Sequence, residues 1–441
     1  MMVWRGTARD GGGPGIYDDR RALDARATRI SHGRLGMTGP PGAGQDVALP
    51  RAIILQPNDG CLTLARALVR RGVEVHVLAN HEYSYVVASR GVEGEVMPDP
   101  LEDPSAWLDV LTELGEAGGG VVFSGSDAAT EWLTEQRARL PASLRSFEST
   151  DGVHVDLMDK QRLYEMAASI GIRVPTVRYI RDQADLKALL PGLRYPRVLK
   201  ARLGHKAKIL AGFGTVLVTT RRDLLERAAA LFDHDIDFLL TDVVPGREHR
   251  LEAAVTVRRD DGSYTLEYGR RKIRQWPLDY GVGSLNQAAH VPGTMGISRK
   301  LLGHAGFHGI ASCETKRNAR DGQLYLIEVN VRIPANFGLA DACGVDGSWR
   351  LYATLAGLPL EPQPEQVDGR KCMIPLREAR ASWQRIRRRE VSVQGVLRSW
   401  RGTRDFGVLS IRDPMPAAAL VARRLGKRLG QSGRAHRGAG A

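Results

Sequence analysis

Two short apolar runs, 52–55 and 73–78, bracket a stretch whose apolar residues recur at helical spacing: Leu62, Leu64, Ala65, Leu68 and Val69. Pro57, Asn58, Asp59 and Gly60 stand before that stretch, and Gly72 closes it. A helix between two strands carries the chain back across the sheet, so the strands must pair in parallel. A third run, 120–124, leads through Gly125, Ser126 and Asp127 into a helix containing Trp132 and Leu133. Residues 50–150 are therefore predicted to form an open α/β domain. Its first turn holds only Gly60 and lacks the GxGxxG spacing of a dinucleotide fingerprint, so Gly60 reads as turn geometry. Neither a GxxxxGK[ST] phosphate loop nor a GxSxG frame around Ser126 is present.

The chain has 441 residues, 43% hydrophobic and 26% charged, which is globular composition with room for more than one domain. Residues 1–49 are rich in Gly, Pro, Arg and Asp without periodicity and are predicted to be disordered, with Met37 as an alternative start. No apolar run has a membrane-spanning or secretory-signal character, which points to a cytoplasmic protein. The four cysteines, Cys61, Cys313, Cys343 and Cys372, form no CxxC pair, which argues against a disulfide framework or structural zinc. The formal net charge is +13, yet 16 lysines and arginines against 4 acidic residues lie in 377–441. The body of the chain is nearly neutral, so no specific nucleic-acid partner is indicated. In 417–441, Ala, Leu and Val alternate with Arg and Lys at near-helical spacing. That tail is read either as a solvated helix or as a weak contact with an anionic membrane surface.

Residues 151–360 read as a β-rich α+β region, followed by a small segment, 361–416, and the basic tail. Strands are expected at 197–201, 215–219, 238–244, 251–258, 263–269 and 323–329, with turns at Asp260-Asp261-Gly262 and Asp321-Gly322. Glu328 and Asn330 are two apart on one strand, so they share a face, and pairing across the Asp321-Gly322 turn would bring Glu314 beside them. Two carboxylates and an amide oxygen form a hard donor set suited to Mg²⁺ that shares its shell with phosphates. Lys160 at a helix start and Lys200 at the end of an apolar run are candidate phosphate contacts. His205, Lys206, Lys208, Gly212 and Gly214 read as a basic loop, able to fold over phosphates or simply to join two strands. His304, His308 and Cys313 offer a weaker zinc alternative, because the glycines around them argue against a helix.

The ordered set Asp159-Lys160, 171–175, 196–200, Thr241 to Glu248, and Ile327 to Arg332 resembles the ATP-grasp superfamily over roughly 151–360. It is most similar to a bacterial carboxylate-amine ligase-like branch, which shows basic residues before a Trp-Pro pair, here Arg270, Arg271, Lys272 and Arg274 before Trp276-Pro277. The resemblance implies an ATP-grasp fold preceded by a Rossmann-like pre-ATP-grasp domain. It also implies that Lys160 and Lys200 hold ATP phosphates and the adenine edge, with Gly212 and Gly214 in the covering loop. Asp242, Val243 and Val244 would bond adenine, and Glu248 the ribose. Glu314, Glu328 and Asn330 would hold Mg²⁺, while Arg274 and Arg332 would neutralise the transferring phosphoryl group and acyl phosphate. Two positions depart from the pattern: Thr241-Asp242 replaces Gln-Glu, and Val331 replaces Pro.

The activity implied is ATP-dependent joining of a carboxylate to an amine, giving an amide or peptide bond from small amino-acid-like or peptide-like substrates. The departures keep open a catalytically lapsed ATP-binding sensor or assembly protein. A bicarbonate-activating carboxylase would share the fold and the first step.

Overall fold

The computed structural model describes residues 28–30, 49–100, 102–278 and 280–438, without side chains for 28–30 and 427–438. The βαβ unit forms as its pattern requires: strand Ala52–Leu55, helix Asp59–Val69 and strand Val75–Ala79, the strands parallel. Strands Val92–Val96, Gly120–Ser124 and Leu144–Arg145 extend this parallel sheet. Asn58 caps the first helix, its Oδ1 accepting from the amides of Gly60 at 2.8 Å and Cys61 at 3.2 Å. The expected disorder of 1–49 is corrected at Thr28–Ile30, which pairs antiparallel on Val92–Val96. A β-branched residue at each end of that short run favours strand. The rest of 1–48 lies outside the described residues.

Strands Val177–Ile180, Phe238–Asp242, Arg197–Ala201 and Thr215–Val218 make a four-stranded antiparallel sheet, in that spatial order. Leu186, Leu224 and Leu231, from helices Gln183–Leu189 and Arg221–Phe232, close its core. A larger sheet runs from Leu324–Asn330 through Gly309–Arg317, Leu251–Arg258, Tyr264–Trp276 and Val282–Ala288 to Lys371–Met373 and Thr403–Asp405. Both expected hairpin turns are present, and their glycines, Gly262 at φ +86 and Gly322 at φ +70, take the left-handed conformation such turns need. Strand Tyr264–Trp276 runs seven residues past its expected end at Gly269, because its charged residues face buried partners rather than marking a loop. The sheet also crosses residue 360, since Lys371–Met373 pairs with Val282–Ala288.

One hydrophobic core joins the parallel sheet to the large one: Ile54, Val77 and Phe123 share it with Val255, Tyr268 and Leu351. Gly60 sits at this junction. A Cβ there would lie 2.1 Å from the Pro334 carbonyl oxygen, so the residue permits close approach of the backbone leaving the large sheet. The turn-geometry reading of Gly60 is thereby corrected. Asn58 ties the same junction, donating from Nδ2 to the carbonyls of Gly125 and Ile333 at 2.7 Å each.

Two further expectations change. The basic loop contains helix Gly204–Leu210, which packs against the neighbouring strand because Gly204 and Gly214 lie backbone to backbone: a Cβ on Gly214 would be 2.7 Å from the Gly204 oxygen. Helix Pro292–His304 forms despite its glycines, and His308 lies beyond its end, so the two histidines share no helix face. His308 instead faces Asp260 at 3.8 Å, while Cys313 is buried in the core.

Candidate functional site

A cavity of about 380 Å³ opens between the four-stranded and the large sheet. Val198, Lys200, Thr215 and Leu217 line it from the first, and Leu251, Lys272, Glu314 and Glu328 from the second. Asp242 at the end of strand Phe238–Asp242 and Val243, Val244 and Glu248 from the connection that follows complete the wall. Of the residues singled out in the sequence, Lys200, Asp242, Val243, Val244, Glu248, Glu314 and Glu328 thus share one space.

Glu314 and Glu328 are direct register partners on adjacent antiparallel strands. Lys272 donates to Glu314 Oε1 at 2.7 Å, and Arg270 Nη2 lies 3.7 Å from Glu314 Oε2. These side chains cross an intervening strand whose residue between Arg270 and Glu314 is Ala253, small enough to pass beneath them. Burial by itself would raise the Glu328 carboxyl, but Lys272, Lys200, Lys160 and a hydrogen bond from Asn330 hold it below its usual range. Asn330 Nδ2 donates to Glu328 Oε1 at 3.1 Å.

Lys200 faces these carboxylates from the other sheet. Its Nζ donates to the Tyr164 hydroxyl at 2.6 Å and to the Ile327 carbonyl at 3.1 Å. Burial pulls its ammonium down to about 8, against the opposing pull of Glu328 and Glu314. Lys160 is lowered by burial too, with Glu328 and Asp127 resisting. Asp159 positions it by capping helix Lys160–Ser169, its Oδ1 accepting from the Gln161 amide at 2.9 Å. Arg332 continues the charged patch: its Nε donates to Asp127 at 2.6 Å, and its Nη2 lies 3.5 Å from Asn330 Oδ1.

Other expected site residues are placed differently. Arg274 does not line the cavity. Register shifts on either side of it turn it into the interior, where its Nε donates to Glu378 at 2.7 Å. Glu378 is fully buried and also accepts from Ser284, Ser382 and Trp400, which makes it the centre of a structural network. Gly212 and Gly214 do not line the cavity either. The helix between them and Lys200 reaches the first domain instead, with His205 Nε2 2.8 Å and Lys206 Nζ 3.0 Å from Glu131 carboxylate oxygens. Asp242 pairs with Arg197, its cross-strand partner, and Glu248 pairs with Arg385 from helix Pro375–Arg387. Lys272 and Arg385 were not singled out as site residues. Alternation along Tyr264–Trp276 could have flagged Lys272, whereas Arg385 lies 137 residues from its partner with no sequence signal.

Among the described residues no group of three or more His, Cys, Asp or Glu side chains is placed to hold a metal. Two opposed carboxylates beside an amide do fit Mg²⁺, which needs few protein ligands when phosphate and water oxygens complete its shell. Both carboxylates lie on the cavity wall, and the neighbouring cations favour the ionised form of Glu328.

A four-stranded antiparallel lobe over a larger, mostly antiparallel sheet, with a cleft between them and a parallel α/β domain in front, is the ATP-grasp fold. No family model and no curated protein matches the sequence. Among solved structures, the chain is similar to an N5-carboxyaminoimidazole ribonucleotide synthetase in its ADP complex, with TM-score 0.59 and 17% identity over 77% of this chain and 86% of that one. It is similar to the L-amino acid ligase of Bacillus licheniformis, with TM-score 0.54 and 18% identity over 71% and 75%. The biotin carboxylase of Campylobacter jejuni gives TM-score 0.55 and 14% identity over 73% and 74%.

Proposed function

We propose that the chain is an ATP-dependent ligase that phosphorylates a small carboxylate and passes the acyl group to an amine, releasing ADP and phosphate. The observation that carries this reading is the opposition of Glu314 and Glu328 on the cavity wall, with Lys200 facing them from the other sheet. In this reading Lys200 and Lys160 bind the ATP phosphates, the backbone of Asp242, Val243 and Val244 meets the adenine edge, and Glu248 meets the ribose. Glu314, Glu328 and Asn330 would hold Mg²⁺, which when bound offsets charge on the β- and γ-phosphates.

A carboxylate oxygen attacks the γ-phosphorus and ADP leaves. The amine nitrogen then attacks the acyl carbon, the C–O bond to phosphate breaks, and the amine gives up one proton. Arg332 and Lys272 supply positive charge on the two sides of the Glu328 region, as phosphoryl transfer requires. That role replaces the one expected of Arg274, which is committed to Glu378. Dependence on ATP and small amine substrates fits a cytoplasmic location.

A second reading is activation of bicarbonate, favoured by the fold likeness to the ribonucleotide synthetase and the biotin carboxylase. ADP release, measured with amino acids or peptides and separately with bicarbonate plus amines, decides between them. ATP bound without turnover on every acceptor would leave only a sensor, and the ligase reading would fall.

A further inference from the structure

Ten of the sixteen exposed large hydrophobic side chains among the described residues lie between Leu376 and Leu425. They occupy particular faces. On helix Pro375–Arg387, Leu376, Arg380, Trp383 and Arg387 follow at intervals of four, three and four, all exposed, with Arg387 over the Trp383 ring at 4.7 Å. On helix Met415–Gly438, Leu420 faces the core, while Ala418, Val421, Ala422 and Leu425 form an apolar stripe toward solvent beside Arg424. Helix Met415–Gly438 packs on the turn Ser84–Val86, with Arg423 Nη1 donating to the His81 carbonyl at 3.1 Å, and the Arg380 charge of the other helix acts on Arg424. Between them a loop exposes Phe406, Leu409 and Ile411, the last completely.

The exposed charge of this segment is mostly positive. Of the four acidic residues of 377–441, Glu378, Asp405 and Asp413 are committed inside the fold, to Arg274, to the Gly407 amide, and to Arg66 and Ser89, while the exposed Glu390 pairs with Arg385 and lies 3.9 Å from Arg388. Arg380, Arg387, Arg398, Arg404, Arg412 and Arg424 are left exposed with no acid of their own segment to balance them. An exposed apolar surface with arginines at its rim marks an interaction site.

We propose that this C-terminal face docks on an anionic lipid surface. Trp383, Ile411, Val421 and Leu425 would enter the headgroup and acyl boundary, and the arginines would meet lipid phosphates. Charge complementarity selects this occupant. A second copy of the chain would bring the same cationic face against itself, and a nucleic-acid backbone would leave the apolar stripe unused. No described helix is long and apolar enough to cross a membrane, so the contact is one of surface lying rather than spanning.

The test is co-sedimentation of the full chain with vesicles of phosphatidylcholine alone and of phosphatidylcholine mixed with phosphatidylglycerol. Binding is expected on the mixed vesicles and not on phosphatidylcholine alone. Arg380→Glu with Arg424→Glu should weaken it by at least roughly 25-fold, about fivefold for each charge removed. Trp383→Ser with Leu425→Ser should weaken it comparably, while unfolding temperature and ATP binding stay unchanged. Equal binding to both vesicle types would overturn the proposal, as would full binding by the serine variant. A concentration-dependent dimer in sedimentation equilibrium that the serine variant abolishes would instead assign the face to a second copy. Duplex DNA binding as tight as vesicle binding, indifferent to the serine changes, would make it a plain electrostatic arm.

Discussion

Glu314 and Glu328 stand directly opposite each other on paired antiparallel strands, with Lys272 bonded to the first. Like charges in that position repel, so the pair is held for a purpose other than stability. Glu328→Gln is expected to lower ATP-dependent ADP formation by roughly two orders of magnitude or more. Its unfolding temperature should fall modestly, because Lys272, Lys200 and Lys160 stabilise the ionised carboxylate in the fold and two buried lysines lose that counter-charge. Steady-state ADP release and thermal unfolding, measured side by side, check both halves.

Lys200 makes ATP binding sensitive to alkali. Burial lowers its ammonium to about 8, so the charge available to a phosphate is present below that pH and lost above it. ATP affinity should be flat up to about 8 and fall beyond, and Lys200→Arg should move the fall upward or abolish it. The same group carries an opposite stability effect. The folded pKa lies below the ordinary 10.5, so the unfolded chain binds more protons between these values and stability gains with rising pH in that window. Affinity titrations across pH 6 to 10, with unfolding curves at each pH, read out the two trends.

Arg274→Met should fail through folding. Glu378 would be left charged and fully buried without its arginine, a loss of roughly 3–5 kcal/mol. Arg274→Met combined with Glu378→Met should recover much of that loss. A single variant that stays fully stable but loses turnover would instead return Arg274 to the catalytic set.

Gly60→Ala places a Cβ against the Pro334 carbonyl oxygen, so backbone must move where the parallel domain meets the large sheet. A destabilisation of about 1–3 kcal/mol is expected in chemical unfolding. Gly72→Ala, whose Cβ meets nothing within 4 Å, takes the strain of a positive φ without a clash and is the control.

Much of the fold was legible because periodicity is local. The strands Ala52–Leu55, Arg197–Ala201 and Leu251–Arg258 fall where apolar runs placed them. The facing of Glu314 and Glu328 was legible for the same reason: a hairpin turn fixes register, and register fixes faces. Arg274 was misplaced because register shifts beside it, which the sequence does not advertise, rotate it away from Lys272. Gly60 was misread because the carbonyl that crowds it belongs to Pro334, 274 positions away in the chain. Arg385 and Glu131, each bonded to residues of a distant element, belong with these long-range contacts that no local pattern encodes.

The central claim is that the cavity between the two antiparallel sheets takes ATP with Mg²⁺ through Lys200 and the opposed glutamates. Calorimetric titration of the full chain with ATP, with and without Mg²⁺ and alongside Glu328→Gln, tests it most directly. One-site binding that Mg²⁺ strengthens in the parent chain but not in Glu328→Gln is the expected result. Absence of binding in both conditions, or a Mg²⁺ effect that Glu328→Gln leaves intact, would contradict it.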